Sequence, residues 1–239
     1  MNAIEVSNLT KVYKTFRLDN VSFNVQTGRI VGFIGRNGAG KTTTIKSILN
    51  IVKIDNGNVN FFEMDMKQNE NIIKNQIGYA SGTTNYYPRK RLSDIINVTK
   101  MFYQTWDDEV MIEYQKLFQL DFSKTPTELS EGMKVKFNLL LALSHHAKVL
   151  ILDEPTSGLD PFSRDEILEV FMELKKRGVA ILFSTHITSD LEKCADDIVY
   201  ISKGKIINSS TKDDFIRKYR IGNESLESII LRLERENHD

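Results

Sequence analysis

The stretch IVGFIGRNGAGKTTTIKSIL, at residues 30–49 of this 239-residue chain, decides its fold. At its centre is GRNGAGKT, residues 35–42, a complete G-x-x-x-x-G-K-[ST] pattern. An apolar run of strand type comes directly before it, and apolar residues at helical spacing follow at Ile45, Ile48 and Leu49. A strand, a glycine-rich loop and a helix in this order are the setting in which such a pattern binds phosphate. The stretch therefore predicts a nucleotide-binding loop in an α/β fold.

Each residue type in this loop has a physical task. Glycines let the backbone curl so that several N–H groups point at phosphate oxygens, and the following helix adds the positive end of its dipole. Lys41 is predicted to reach the β- and γ-phosphates as a point charge, and Thr42 to offer its hydroxyl to Mg²⁺. The residues predicted to bind ATP on this basis are Gly35, Arg36, Asn37, Gly38, Ala39, Gly40, Lys41, Thr42 and Thr43.

A second motif, VLILDE, lies at residues 149–154. Its four apolar residues predict a buried strand whose two carboxylates emerge at the C-terminal end, where α/β sheets bind ligands. Beside a P-loop, Asp153 is predicted to hold Mg²⁺, and Glu154 to polarise the attacking water as general base. The alternative is that the two acidic residues only cap the next helix.

The composition narrows the classes of partner. Lys plus Arg and Asp plus Glu both total 32, so the formal net charge is zero, whereas nucleic-acid-binding domains carry a basic excess. The single cysteine, Cys194, excludes an intramolecular disulfide and a multi-cysteine metal site. Neither a secretory signal nor an apolar run of about 18–20 residues stands out. We therefore expect a soluble, cytosolic chain that would serve a membrane only through a partner.

The remaining pattern alternates short apolar runs with amphipathic stretches, which predicts an α/β class protein. Strands are expected near residues 4–6, 21–25, 30–34, 58–62, 149–152, 179–183 and 198–201, with another from 206. Between about residues 92 and 146 the strand signal vanishes and helical spacing takes over. Further helices are expected near residues 162–176, 212–219 and 225–236. The pattern thus predicts an α/β core with a helical insert.

Three further motifs form an ordered set with the two above: LSEGM at 129–133, SGLD at 157–160 and STH at 184–186. The set resembles the ATP-binding cassette (ABC) family of ATPases, nearly end to end. The resemblance implies a single ABC ATPase domain over residues 1–239. Its P-loop NTPase core would have a mixed sheet flanked by helices and an N-terminal antiparallel β part, with an α-helical subdomain inserted. The implied divisions are a core at about 1–84 and 147–209, a helical subdomain at about 85–146 and a helical tail at about 210–239.

The resemblance also implies a role for each motif. Ser130 and Gly132 would grip the γ-phosphate of ATP held by a second copy, and Asp160 would connect the two sites across a dimer. His186 would sense the γ-phosphate, since an imidazole can donate to phosphate while ordering the attacking water. Tyr13 stands at the place of the family's aromatic residue that stacks on adenine, and packing in the core is the alternative for it. Ser130 is also a good N-cap for the apolar helix that follows it.

The chain departs from the family's pattern at two places. Glu131 and Met133 stand where the consensus has Gly and Gln, and this LSxGM variant resembles ATPases of bacterial ABC-2-type exporters. Gly82 stands where the family has a Gln or Glu that ligates Mg²⁺ or water and links the site to the membrane partner. A hydroxyl of Ser81 or Thr83, or a water molecule, would take that place. This second departure bears on the coupling of hydrolysis to transport and leaves the ATP-binding loop intact.

The resemblance as a whole implies an ATP hydrolase that acts as the motor subunit of an ABC transporter. It would bind two ATP with Mg²⁺ between head-to-tail subunits, as a homodimer or with another ABC ATPase. It would drive an integral membrane permease in another chain, on the cytoplasmic face of the cell membrane, with no nucleic-acid partner. The signature and the tail at residues 225–233 favour an exporter of drugs, peptides or envelope components. The alternatives are a soluble ABC ATPase of the iron–sulfur-assembly type and a low-turnover regulatory subunit.

Overall fold

The computed structural model describes residues 1–81 and 87–236. The strands in these ranges are β1 (Asn2–Val12), β2 (Arg17–Gln26), β3 (Ile30–Ile34), β4 (Asn56–Phe61), β5 (Met64–Asp65), β6 (Ile77–Ser81), β7 (Val149–Asp153), β8 (Ala180–Thr185), β9 (Asp197–Ser202) and β10 (Lys205–Thr211). The helices are α1 (Lys41–Ile48), α2 (Glu70–Lys74), α3 (Leu92–Lys100), α4 (Asp108–Phe118), α5 (Glu131–Leu143), α6 (Pro161–Lys176), α7 (Thr188–Cys194), α8 (Lys212–Tyr219) and α9 (Leu226–Glu236). Within the same two ranges, no helix has the length and apolar character needed to cross a bilayer.

The strands form two sheets. An antiparallel sheet has the order β2-β1-β4-β5, and a six-stranded sheet has the order β10-β9-β3-β8-β7-β6. In the larger sheet β9, β3, β8, β7 and β6 are parallel, and β10 pairs antiparallel at one edge. The predicted fold class, a mixed sheet with an N-terminal antiparallel β part and a helical insert, is confirmed. All residues of β3, β7 and β8 are buried, as expected for parallel strands covered on both faces.

The central sheet separates two hydrophobic clusters. Along β3, Ile30 and Ile34 pack into the cluster that contains α3–α6, whereas Val31 and Phe33 pack into the cluster shared with the antiparallel sheet. This alternation follows from the two-residue period of a strand. The parallel strands are thereby held between two apolar layers. The P-loop follows β3 and the VLILDE motif ends β7, so both motifs lie at the C-terminal edge of the sheet with β8 between them.

Strand β6 differs from the sequence-based expectation, which placed no strand after residue 62 in the N-terminal part. It pairs in parallel with β7 and brings Ser81 opposite Asp153. A Cβ on Gly78 would stand 2.6 Å from the Ala142 Cβ and from a methyl of Leu150. Glycine is therefore needed here for the close approach of α5, and it weakens the apolar strand pattern that sequence analysis depends on.

His145 lies just after α5 and gives a pH-dependent prediction. Its ring is buried and stacks on Tyr103 with 3.8 Å between centroids, and burial lowers its pKa from 6.5 to about 4. As the pH falls through this window the unfolded chain takes up the proton first, so the free energy of unfolding decreases by up to about 3 kcal/mol. We expect His145→Phe, which keeps the stacking and removes the titration, to flatten this part of the pH profile. Urea denaturation of both proteins at several pH values measures the free energy of unfolding. The same dependence of this free energy on pH in both proteins would contradict the prediction.

Candidate nucleotide site

The loop between β3 and α1 is shaped by two glycines with positive φ. Gly38 has a φ of 82° and Gly40 a φ of 114°, a region that side chains with a Cβ rarely adopt. At Gly40 a Cβ would also stand 2.7 Å from Leu18 and 2.9 Å from the Phe16 ring. The loop thus turns tightly into the N-terminus of α1, where free backbone N–H groups and the helix dipole favour an anion.

Lys41, the first residue of α1, lies inside this loop. Its side chain is buried, and its Nζ donates to the backbone oxygens of Gly35 at 2.6 Å and Arg36 at 3.4 Å. The same Nζ is 3.2 Å from Oε1 of Glu154. A buried ammonium is therefore held among oxygen acceptors at the loop, in position for phosphate oxygens.

Glu154 and His186 are brought together from two neighbouring strands. Glu154 follows β7 and His186 follows β8, and Oε2 of Glu154 is 2.7 Å from Nδ1 of His186. The backbone N–H of Glu154 donates to Oγ of Ser184 at 2.9 Å, and that hydroxyl donates to Oδ1 of Asp153 at 2.6 Å. Glu154 has a φ of 53°, so the chain turns sharply as it leaves β7. The turn directs the carboxylate toward Lys41 and His186, which excludes a role limited to capping α6.

A cavity of about 490 Å³ joins these groups, a size typical of small-molecule sites. It is lined by Phe16, Arg36, Asn37, Gly38, Gly40, Lys41, Thr42, Thr43, Glu154, Ser157 and His186. Seven of the nine residues in the predicted P-loop set, from Arg36 to Thr43, therefore line the same space as the two predicted catalytic groups. The remaining loop members, Gly35 and Ala39, do not line it, and a Cβ on Gly35 would stand 2.3 Å from the Ile201 backbone oxygen.

The donor chemistry for a magnesium ion is present at one edge of this cavity. Thr42 lines the cavity, and Asp153 ends β7, the strand against which α1 packs. One carboxylate oxygen of Asp153 accepts from Ser184, and a carboxylate and a hydroxyl are oxygen donors of the kind Mg²⁺ prefers. The residues fit the ion. Ser81, one suggested replacement at the position of the missing Gln or Glu, lies beside Asp153, whereas Gly82 and Thr83 lie outside the described residues.

The aromatic residue at the cavity is Phe16 and not Tyr13. Phe16 lines the cavity, whereas Tyr13 is 43% exposed and carries the ammonium of Lys11 5.6 Å from its ring centroid. Core packing, the alternative for Tyr13, is therefore wrong, and its stacking on adenine stays a prediction. The backbone N–H of Tyr13 donates to the Phe16 oxygen at 2.8 Å, so one turn joins the two rings.

The signature residues lie away from this cavity. Ser130 caps α5 by accepting from the N–H of Met133 at 3.3 Å, and Asp160 caps α6 by accepting from the N–H groups of Phe162 and Ser163. The hydrogen bonds from Ser163 lower the pKa of Asp160. Both caps are exposed at the surface.

Gly132 packs closely against the first turn of α6, where a Cβ on it would stand 3.2 Å from the Ser163 side chain. The starts of α5 and α6 are thus neighbours. The capping role of Ser130 is confirmed, and the proposed contacts of Ser130, Gly132 and Asp160 with a second copy stay predictions.

Sequence analysis missed three contributors. Phe16 carried no motif signal, Ser157 was noted only as part of SGLD, and Ser184 was noted only as part of STH. The sheet register could have revealed Ser184, because β7 and β8 place it directly opposite Asp153.

The strand β3, the loop and the helix α1 enclose Lys41, and the same cavity holds Glu154 and His186. This combination defines a P-loop nucleoside triphosphatase. The model of the family described as "ABC transporter" matches residues 18–157. The bacitracin transport ATP-binding protein of Bacillus licheniformis is 34% identical, over 91% of this chain and 72% of that protein. A lantibiotic transport ATP-binding protein of Streptococcus pyogenes is 31% identical, over 95% of both.

Solved structures of ATP-binding cassettes are also similar to this chain. The ATP-binding subunit of an ABC transporter is 30% identical with a TM-score of 0.87, over 97% of this chain and 99% of that one. A dimeric cassette in a post-hydrolysis state with ADP and Pi has a TM-score of 0.77 over 87% of this chain and 98% of that one, and at 21% identity shares the fold. The chain belongs to the ABC transporter family of ATP-binding cassettes. It is an ABC-type ATP hydrolase and the motor subunit of a transporter.

Proposed function

We propose that two copies of this chain, or one copy and another ABC ATPase, bind two ATP between them head to tail. The observation that carries the proposal is the separation within one chain of the P-loop cavity from the exposed, Ser130-capped start of α5. The N-terminus of α5 has the free N–H groups and dipole end that favour an anion. A second subunit turned end to end would complete each site, with Ser130 and Gly132 at the γ-phosphate and Asp160 at the contact between sites.

Within each site we assign the hydrolytic roles by position. Glu154 would accept a proton from the attacking water, and His186, in contact with Glu154, would orient that water and donate to the γ-phosphate. Lys41 and the loop N–H groups would hold the β- and γ-phosphates. Mg²⁺, which neutralises phosphate charge when bound, would be held by Thr42 and Asp153.

The membrane permease would bind on the surface of α3. Val98 is on this helix, and Met101 and Phe102 directly follow its last residue; these three residues are 49%, 83% and 73% exposed. A groove of about 530 Å³ runs along the same helix from Tyr87 to Thr99. Exposed, neighbouring apolar side chains beside a groove favour a protein partner. Through it the chain would sit at the cytoplasmic face of the membrane.

We expect the double variant Met101→Asp and Phe102→Asp to lose this partner. Two carboxylates buried against an apolar partner carry a large desolvation cost, whereas the P-loop cavity is untouched, so ATP affinity should be unchanged. The measurement is the recovery of a membrane protein with the tagged chain from detergent-solubilised membranes. Leu117→Asp, at an apolar residue on α4 that is 60% exposed, is the control. Equal recovery of the membrane protein with the wild type, the double variant and Leu117→Asp would exclude α3 as the docking surface.

For the cargo we propose export of an antimicrobial peptide, because the named relatives serve bacitracin and lantibiotic transport. Family membership and these relatives support the transporter over the iron–sulfur-assembly and regulatory alternatives. Deleting the gene should raise sensitivity to peptides of these classes. Complementation by the wild-type chain, but not by Glu154→Gln, would link the resistance to hydrolysis, and unchanged sensitivity to both peptide classes would contradict this cargo.

A further inference from the structure

A buried carboxylate lies behind the nucleotide site and outside its cavity. Asp190 is on α7, and its side chain is fully buried, which is rare for an aspartate without partners. Burial raises the pKa of Asp190, while the Thr156 hydrogen bond and the charge of Arg164 oppose this and the charge of Glu154 adds to it. The cost of burying this group calls for a physical reason.

The partners of Asp190 belong to the two segments that carry the hydrolytic groups. Its Oδ2 accepts from the Thr156 hydroxyl at 2.6 Å and from the Thr185 hydroxyl at 3.5 Å. Thr156 is two residues after Glu154, and Thr185 immediately precedes His186. Both threonines are at most 1% exposed. One oxygen atom therefore joins the loop after β7 to the end of β8.

The turn that holds His186 is tied to the same atoms. The Thr185 hydroxyl accepts from the N–H of Ile187 at 2.9 Å, and the N–H of Asp190 donates to the Ile187 oxygen at 3.3 Å. His186 is thus held between Thr185 and Ile187, which are both fixed to the start of α7. A shift of the Asp190 side chain would move this turn relative to the loop after β7.

The other oxygen of Asp190 faces α6. Oδ1 is 3.9 Å from Nη1 of Arg164, and that nitrogen donates to Oγ of Ser189 at 3.4 Å. Arg164 is four residues after Asp160, the residue proposed to meet a second subunit. Asp190 therefore contacts all three segments around the site without lining the cavity.

We propose that Asp190 is a positioning residue that fixes the spacing between the Glu154 and His186 side chains by holding Thr156 and Thr185 on one carboxylate. The inference rests on the roles proposed above for Glu154 and His186. These side chains are 2.7 Å apart, and a displacement of about 1 Å between groups that act together can cost on the order of a hundredfold in rate. Asp190 thereby controls the rate of hydrolysis and leaves ATP binding to the P-loop.

The first test compares three variants in the full chain with MgATP. We expect Asp190→Ala to lower kcat by at least about tenfold and to change the dissociation constant for ATP by less than about threefold. Asp190→Asn keeps an acceptor for Thr156 and should retain kcat within about threefold of wild type. Thr156→Val removes one hydroxyl at constant shape, so it should lower kcat in the same direction as Asp190→Ala even where the latter folds poorly.

Ser144→Ala is the matched control, because it also removes a fully buried hydroxyl, one that donates to the Leu140 oxygen at 2.7 Å at the C-terminal end of α5 and does not line the cavity. It should leave kcat unchanged. Wild-type kcat in both Asp190→Ala and Thr156→Val would overturn the proposal. A loss of ATP affinity equal to the loss of kcat would overturn it as well, because the effect would then lie in binding.

A double variant separates positioning from general damage to the fold. In a His186→Ala background there is no pair left to position, so adding Asp190→Ala should cost less than about twofold further. Fully additive losses would overturn the proposal. If Glu154→Gln and His186→Ala each hydrolyse ATP at the wild-type rate, the proposed roles of those two residues fail instead, which is a distinct result.

Discussion

Lys41→Ala is expected to lower ATP affinity by at least about a hundredfold. The ammonium is buried at the loop and held by the Gly35 oxygen and the Glu154 carboxylate, so its removal deletes charge-assisted contacts with phosphate worth about 1.5–3 kcal/mol each. It also leaves Glu154 next to the phosphates without a compensating charge, which adds repulsion. Titration with a fluorescent ATP analogue measures the change.

Lys46→Ala provides the control for this first prediction. Lys46 lies on the same helix, is exposed, and differs from Lys41 in that it does not line the cavity. The two variants lose the same charge, so a general electrostatic effect would weaken binding in both. Unchanged affinity in Lys41→Ala, with the fold intact by circular dichroism, would place the nucleotide elsewhere.

Glu154→Gln is expected to lower kcat by about 10²–10⁴-fold, the range for loss of a general base. The substitution keeps the shape of the side chain and removes its proton-accepting charge. ATP affinity should be retained, since Lys41 and the loop remain. Phosphate release under saturating MgATP measures the rate, and Glu173→Gln, an exposed carboxylate on α6, serves as control. A rate within twofold of wild type would show that another group accepts the proton.

The P-loop and the acidic strand end could be predicted because their chemistry is local. GRNGAGKT needs only the strand before it and the helix after it, and the structure brings both motifs to one cavity as expected. The antiparallel strands were predicted too short. β2 buries alternate residues only from Val21 onward, and the two polar residues Asp19 and Asn20 separate Val21 from the buried Leu18, so its length of 10 residues was masked.

Tertiary packing explains what sequence analysis could not predict. Gly78 weakens the strand pattern in the sequence, and the reason for a glycine here is the close packing of α5, which the sequence does not show. Tyr13 and Phe16 are both aromatic residues in the same short segment, and the sequence does not show which ring lines the cavity. The turn between them places Phe16 there. Asp190 has the appearance of a solvated residue on a short helix, and only the packing of α7 under the site buries it between two threonines that are 29 residues apart.

The central claim, a dimer assembled around ATP, is tested most directly by the mass of the Glu154→Gln protein in solution. Light scattering after size exclusion, at high protein concentration with MgATP, should give twice the 27.5 kDa of one chain, because nucleotide that is bound but not hydrolysed holds the subunits together. Without nucleotide, or with Lys41→Ala added, the mass should be that of one chain. A single-chain mass in the presence of saturating MgATP would contradict the assembly of two copies of this chain around ATP.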